Sequence, residues 1–266
     1  MQKFFFISAM LFDKIIFGPV HSRRLGRSLG INLLPETVKV CSMNCIYCEC
    51  GWGRGEDALF SKFLPYEEII SVLRERFQQM RCERVEIDSI TYSGNGEPTI
   101  HPQFAKINQS LIELRNTYFS GTIITCLSNS TQLHRNDVLE ALKTIDNPLM
   151  KLDAGTQSVF ELINKPFSHL SLDVITDNLR KFNGKLSIQT LFLRGTLDDG
   201  TIVDNTTEKE VDMWLERLKS INPHTVILYP IDRKTPAKQL EKIDKETLNS
   251  IAQRVQACGM KTIVSG

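Results

Sequence analysis

Six times along this chain, a short apolar or β-branched run gives way to a stretch whose apolar residues recur at helical spacing. The strand candidates are 28–34, 86–93, 122–128, 149–154, 186–193 and 225–230, with a closing run at 261–264. Pro65 opens the first helical stretch, where a missing N–H costs little. Tyr66, Ile69, Ile70, Leu73 and Phe77 then fall on one face. Later stripes run through Phe104, Ile107, Leu111 and Leu114; Val138, Leu139, Leu142 and Ile145; and Leu172, Ile175, Leu179 and Phe182. Val211, Trp214, Leu215, Leu218 and Ile221 form the strongest stripe, and Leu248, Ile251, Ala252 and Val255 the last. This alternation leaves few folds open. Each strand must pair in parallel with the next through a right-handed helical crossover, which makes the chain α/β. The sheet is then either open and doubly wound or a partial (β/α)6 barrel. In both cases function belongs at the carboxyl ends of the strands.

The chain has 266 residues, which suits one large α/β domain. Hydrophobic residues make up 41% and charged residues 24%, ordinary values that argue against wholesale disorder. Lys and Arg number 32 against 31 Asp and Glu, so net charge does not point to nucleic acid, and no DNA partner is evident. Residues 4 to 12 are apolar but end at Asp13 and Lys14. They are too few to span a bilayer, and no small-residue cleavage site follows. Neither a membrane span nor a secretory signal is expected, so the expected compartment is the cytoplasm. Met10 is an alternative start, because the patterned chain begins near Leu11. An N-terminal strand through Phe4–Phe6 is the competing reading.

Seven cysteines are present, four of them in the ten residues CSMNCIYCEC (41–50). An odd total so tightly grouped is a poor disulfide framework and suits metal chemistry in a reducing compartment. Cys41, Cys45 and Cys48 are spaced to wrap one face of an iron–sulfur cubane, leaving one iron open to a small ligand. A zinc site that recruits Cys50 is the alternative, and an iron–sulfur electron carrier a second. Four ligands within ten residues are more compact than most zinc modules, whose paired knuckles lie a dozen or more residues apart. Cys50 then reads as a spare thiol. Cys82, Cys126 and Cys258 are too scattered to build a second cluster.

The C-x3-C-x2-C spacing, with Tyr47 just before the last cysteine, resembles the signature of the radical SAM superfamily. Other segments extend the likeness: PVHSRRLGRSLG (19–30), YSGNGEPTIHP (92–102), KLDAG (151–155), INKP (163–166) and IDRKTP (231–236). Together they resemble small stand-alone members grouped with the wyosine-forming tRNA-modification enzymes, from about Phe17 to the C-terminus. The resemblance implies a TIM-like partial (β/α)6 barrel of the radical SAM type, with an N-terminal extension at 1–16 and a core domain at 17–266. It also implies a [4Fe-4S] cluster on Cys41, Cys45 and Cys48. S-adenosyl-L-methionine (SAM) would bind the open iron and be cleaved reductively to methionine and a 5′-deoxyadenosyl radical, which abstracts hydrogen from a substrate. A reductant such as flavodoxin or ferredoxin is the implied partner, and a tRNA base is among the implied substrates.

Carried onto this sequence, Tyr47 takes the position near the adenine. Gly94, Asn95, Gly96, Glu97 and Pro98 take that of the segment receiving the methionine amino group, with Asn95 splitting the usual adjacent glycines. Lys151 and Asp153 share one face of a strand and are expected to meet the cofactor's carboxylate and ribose. Ser128 and Asn129, ending another strand, hold a similar place. Arg23, Arg24 and Arg27 are candidate phosphate or substrate contacts, with a structurally paired arginine run as the other reading. Gln189, Asp232 and Arg233 complete the substrate candidates.

Overall fold

The computed structural model describes residues 11–55 and 61–266. The expectations about Met10 and Phe4–Phe6 lie outside the described residues. The chain enters through an antiparallel pair, β1 (Ile16–Ser22) and β2 (Gly26–Ile31), followed by the cysteine-bearing loop. From there the elements alternate: α1 (Tyr66–Cys82), β3 (Ser89–Tyr92), α2 (Phe104–Tyr118), β4 (Ile123–Ser128), α3 (Asn136–Lys143), β5 (Asn147–Lys151), α4 (Gln157–Asn164) and α5 (Leu172–Arg180). The remainder is β6 (Ser187–Thr196), β7 (Ile202–Asp204), α6 (Glu208–Ile221), β8 (Thr225–Pro230), β9 (Gln239–Lys242), α7 (Lys245–Ala257) and β10 (Lys261–Val264).

The main sheet runs β1-β2-β3-β4-β5-β6-β8-β10. From β2 to β10 every neighbouring pair is parallel, and the order never reverses. Right-handed crossovers that always step the same way leave their helices on one face of the sheet. The other face therefore curls inward. This settles the choice in favour of the partial barrel, because a doubly wound sheet needs a reversal of strand order.

Each expected strand and helix is present, with four additions. β1 precedes the first expected strand, and α4 sits between the expected fourth strand and fourth helix. β7 and β9 pair antiparallel with the far end of β6, which outruns β8. The α6 stripe is wholly buried, and each of its large apolar side chains contributes about 1.5–3 kcal/mol by leaving water. Trp214 belongs to this core and donates its indole N–H to the Leu152 carbonyl at 3.0 Å. Thr156, Ser171, Thr207 and Asp244 cap α4, α5, α6 and α7 with their side-chain oxygens. No helix among the described residues is long and apolar enough to cross a membrane.

Candidate active site

The loop after β2 brings the cysteines over the carboxyl ends of the strands. Two clamps hold it. On one side Val40 bridges Gly96: the Val40 N–H donates to Asn95 O at 2.8 Å, and the Glu97 N–H to Val40 O at 2.9 Å. On the other, residues 42–46 run along 163–167 at the end of α4. Asn44 N–H donates to Asn164 O at 3.0 Å, Ile46 N–H to Ile163 O at 2.9 Å, and Phe167 N–H to Ser42 O at 3.2 Å. Cys41 and Cys45 are buried and Cys48 is half-buried.

Lys39 is buried beneath this loop and donates to the Gly51 carbonyl at 3.0 Å. Burial alone would lower its pKa, but its proximity to Cys48, Cys41 and Cys45 raises it instead, so one ammonium lies within electrostatic reach of all three thiols. Nitrogen donors are also aimed at the sulfurs. Asn129 Nδ2 lies 3.4 Å from Cys41 Sγ, Asn164 Nδ2 3.4 Å from Cys45 Sγ, and Lys151 Nζ 3.5 Å from the same Cys45 Sγ. Among the described residues, no three Cys, His, Asp or Glu side chains close to the separation a single metal ion demands. A ring of donors facing sulfur suits a negatively charged thiolate-bound cluster, so the residues present fit such a group.

The glycine–glutamate segment closes one wall. Gly94 and Gly96 both have φ near +135°. A Cβ on Gly94 would lie 2.4 Å from Asn32 Oδ1, and one on Gly96 1.9 Å from Val40 O. Glycine is required at Gly96 for close approach to the Val40 backbone and at Gly94 for close approach to the Asn32 side chain. The Glu97 carboxylate is buried and accepts from the Thr99 N–H at 3.2 Å, the Thr99 hydroxyl and the Asn129 N–H, tying this segment to the end of β4. Burial raises its pKa, against the opposing pull of these hydrogen bonds. Pro98 opens the following 3-10 turn. The Asn95 side chain is turned away: it donates to Phe12 O and Pro35 O and accepts the Phe12 N–H. Asn95 is therefore a clamp for the N-terminal segment, and only its backbone belongs to the cradle.

Asp153 and Lys151 stand 3.9 Å apart in the interior of the sheet, since β5 lies between β4 and β6. A buried charge needs partners. The Asp153 carboxylate accepts from the Tyr47 hydroxyl, from Asn164 Nδ2 at 2.9 Å and from the Leu191 N–H at 3.0 Å. Burial raises the Tyr47 pKa well above the usual tyrosine range, and Asp153 adds to this, so the phenol stays a donor. The Lys151 ammonium lies 5.0 Å from the Tyr47 ring centroid. Its pKa is raised because Cys45 and Asp153 outweigh burial. At the end of β4, Ser128 accepts the Ser130 N–H at 3.1 Å, and Asn129 bridges Cys41, Ser42 and Thr131.

The arginines separate. Arg24 reaches across the barrel from the β1–β2 turn, donating to Gln189 Oε1 at 3.1 Å with its guanidinium 4.7 Å from the Tyr229 ring centroid. Arg23 pairs with Asp232 at 2.8 Å, and Arg233 with Glu49 at 2.5 Å, so the segment after β8 leans on the cysteine loop. Arg27 is placed differently. It lies at the amino end of β2, paired with Glu86 and with Asp88 at 2.9 Å, away from the cysteines, and so leaves the candidate site. Lys39 and Tyr229 join the site without having been singled out by sequence, and Asn164 joins it from the INKP segment, where it had been given no role. A surface depression of about 740 Å³ between α6 and α7, lined by Asp212, Asp244 and Arg254, lies on the helical layer and shares none of these groups.

A parallel partial barrel with three clustered thiols at the carboxyl ends of its strands defines a class, and the chain belongs to it: the radical SAM superfamily matches residues 36–218. This makes the protein an enzyme of that class, and membership implies SAM and an iron–sulfur cluster. The chain is 30% identical over 264 residues to a UPF0026 protein of Synechocystis, covering 90% of this chain and 91% of that protein. It is 28% identical over 248 residues to GTPase Obg of Brachyspira hyodysenteriae, covering 92% of this chain but only 34% of that protein. In fold it resembles a radical SAM methyltransferase from Sphaerobacter thermophilus, with a TM-score of 0.62 at 13% identity, covering 90% of this chain and 65% of that one.

Proposed function

We propose that Cys41, Cys45 and Cys48 hold a [4Fe-4S] cluster with one iron left for SAM, and that the protein abstracts a hydrogen atom from a substrate in the barrel interior. The observation that carries this reading is the convergence of Lys39, Asn129, Asn164 and Lys151 on the sulfurs of Cys41 and Cys45 and the space beside Cys48. When bound between Cys41, Cys45 and Cys48, such a cluster would supply the electron for reductive cleavage of SAM to methionine and a 5′-deoxyadenosyl radical.

The chain's own residues bind, orient and shield. The segment from Gly94 to Pro98 offers backbone carbonyls and a nearby carboxylate to an ammonium group. Lys151 offers a cation to a carboxylate, and Asp153 holds Tyr47 and Asn164 in place. Arg24, Gln189 and Tyr229 line the interior below, where a substrate would lie. Arg23, Asp232 and Arg233 sit at its rim. The electron comes from a low-potential flavin or iron–sulfur protein.

Anaerobic purification tests the cluster: brown protein with about four irons and four sulfides per chain supports it, and colourless protein with stoichiometric zinc overturns it. Dithionite and SAM then test the reaction. Release of 5′-deoxyadenosine supports SAM cleavage, and a reducible cluster that yields none marks an electron carrier. A tRNA base as substrate is tested by comparing modified nucleosides between wild-type and deletion cells.

A further inference from the structure

The side-chain amide of Asn164 has two N–H bonds, and both point at acceptors. Nδ2 lies 3.4 Å from Cys45 Sγ and 2.9 Å from an Asp153 carboxylate oxygen. Flipping the amide would turn its oxygen toward a carboxylate oxygen and a sulfur, so the network fixes its orientation. Asn164 is 1% exposed, and bulk water does not compete for either bond. Its backbone is equally committed, since its carbonyl accepts the Asn44 N–H one residue before Cys45. Lys165, in the left-handed region at φ 40°, ends α4 and turns the chain so that Pro166 bridges Met43.

Asn164 differs from the other two donors. Asn129 and Lys151 stand at positions where the family likeness expects SAM, whereas both hydrogens of the Asn164 amide go to protein groups and none is left for a small molecule. Asp153 in turn is held by Tyr47 and Leu191, so the amide is braced from behind.

We propose that Asn164 sets the reduction potential of the cluster by donating a hydrogen bond to the Cys45 thiolate. This rests on the cluster reading above. A hydrogen bond to a thiolate favours the more negatively charged, one-electron-reduced cluster and so raises its potential. In a water-excluded site the bond is stronger than at a surface. Asn164 is thus a positioning residue acting through Cys45.

The test is a redox titration of the cluster followed by electron paramagnetic resonance, with dithionite as reductant and no SAM present. Asn164→Leu removes the donor at similar size, and Asn164→Asp replaces it with an anion. Both variants are expected to load four irons, with potentials more negative than wild type and Asn164→Asp the lower of the two. A second measurement needs no change at position 164. In Asn129→Ser protein labelled with 15N-asparagine, the reduced cluster is expected to show a 15N coupling in pulsed resonance. An unchanged potential in loaded variants, or no such coupling, overturns the proposal and leaves the cluster reading standing. Wild-type protein that loads no [4Fe-4S] cluster overturns both.

Discussion

The carbonyl oxygen of Val40 sits 1.9 Å from where a Cβ would stand on Gly96. With the hydrogen bonds on either side, this contact makes one unit of the cysteine loop and the glycine–glutamate segment. Gly96→Ala must push one backbone against another, and no flexible side chain is there to yield. Overpacking costs about 1–3 kcal/mol, and the unfavourable φ adds a comparable strain. The expected outcome is a lower urea midpoint together with reduced iron content, measured anaerobically on the same preparation.

Cys45 and Cys50 are expected to behave oppositely. Cys45 receives hydrogen bonds from Asn164 and Lys151, as a buried thiolate ligand should. Cys50 Sγ instead lies 3.3 Å from the Gly94 carbonyl oxygen and beside Cys48, with one hydrogen to serve the two. Cys45→Ala is expected to abolish iron binding and 5′-deoxyadenosine formation together, whereas Cys50→Ala keeps both. Equal loss in the two variants would remove the three-ligand assignment.

The buried Glu97 carboxylate is already engaged by Thr99 and Asn129, so it is held in place before any ligand binds. Removing it leaves buried donors unpaired, at about 1–3 kcal/mol for each group. Glu97→Ala is expected to weaken SAM binding by about tenfold, or roughly 1.4 kcal/mol, while iron content stays at the wild-type level. Anaerobic equilibrium dialysis with labelled SAM measures the first, and iron analysis the second. Unchanged affinity would make the segment a turn and nothing more.

The parts legible in the sequence were those with a local cause. The six units follow from apolar periodicity, and the three cysteines from their spacing. Lys151 and Asp153 could be read as a facing pair because alternate strand residues share a face. What escaped depends on contacts between distant segments. Asn164 lies in the quoted INKP segment, but it matters because the end of α4 runs along residues 42–46, and the segment alone does not announce that. Lys39 carried a faint signal, a lysine between two valines just before the first cysteine. The Asn95 side chain was assigned to the cofactor wall by its motif, yet the N-terminal segment claims it. Arg27 looked like part of one basic run, but strand direction sends it to the opposite end from the cysteines.

The last prediction concerns the cluster-free protein, where the thiols differ in acidity. Burial pushes Cys41 up to about 12. Cys48 is held well below the usual cysteine range by a hydrogen bond from Cys50, with Lys39 and Lys151 assisting against burial. Alkylating agents react with thiolates. Between pH 6 and pH 8, Cys48 should therefore label faster than Cys41 and with a weaker dependence on pH. Cys41 should label slowly, its thiolate fraction rising about tenfold per pH unit below its pKa. The same shift bears on folding. A thiol whose folded pKa lies above its unfolded value of 9.0 contributes stability below pH 9, and that contribution is lost as pH rises toward about 12. Cluster assembly must remove this proton, so loading should speed up as pH rises. Iodoacetamide labelling followed by peptide mass spectrometry reads both rates. Cys50→Ala removes this neighbour and should slow Cys48 labelling, and an unchanged Cys48 rate in that variant would show that Cys50 does not control it.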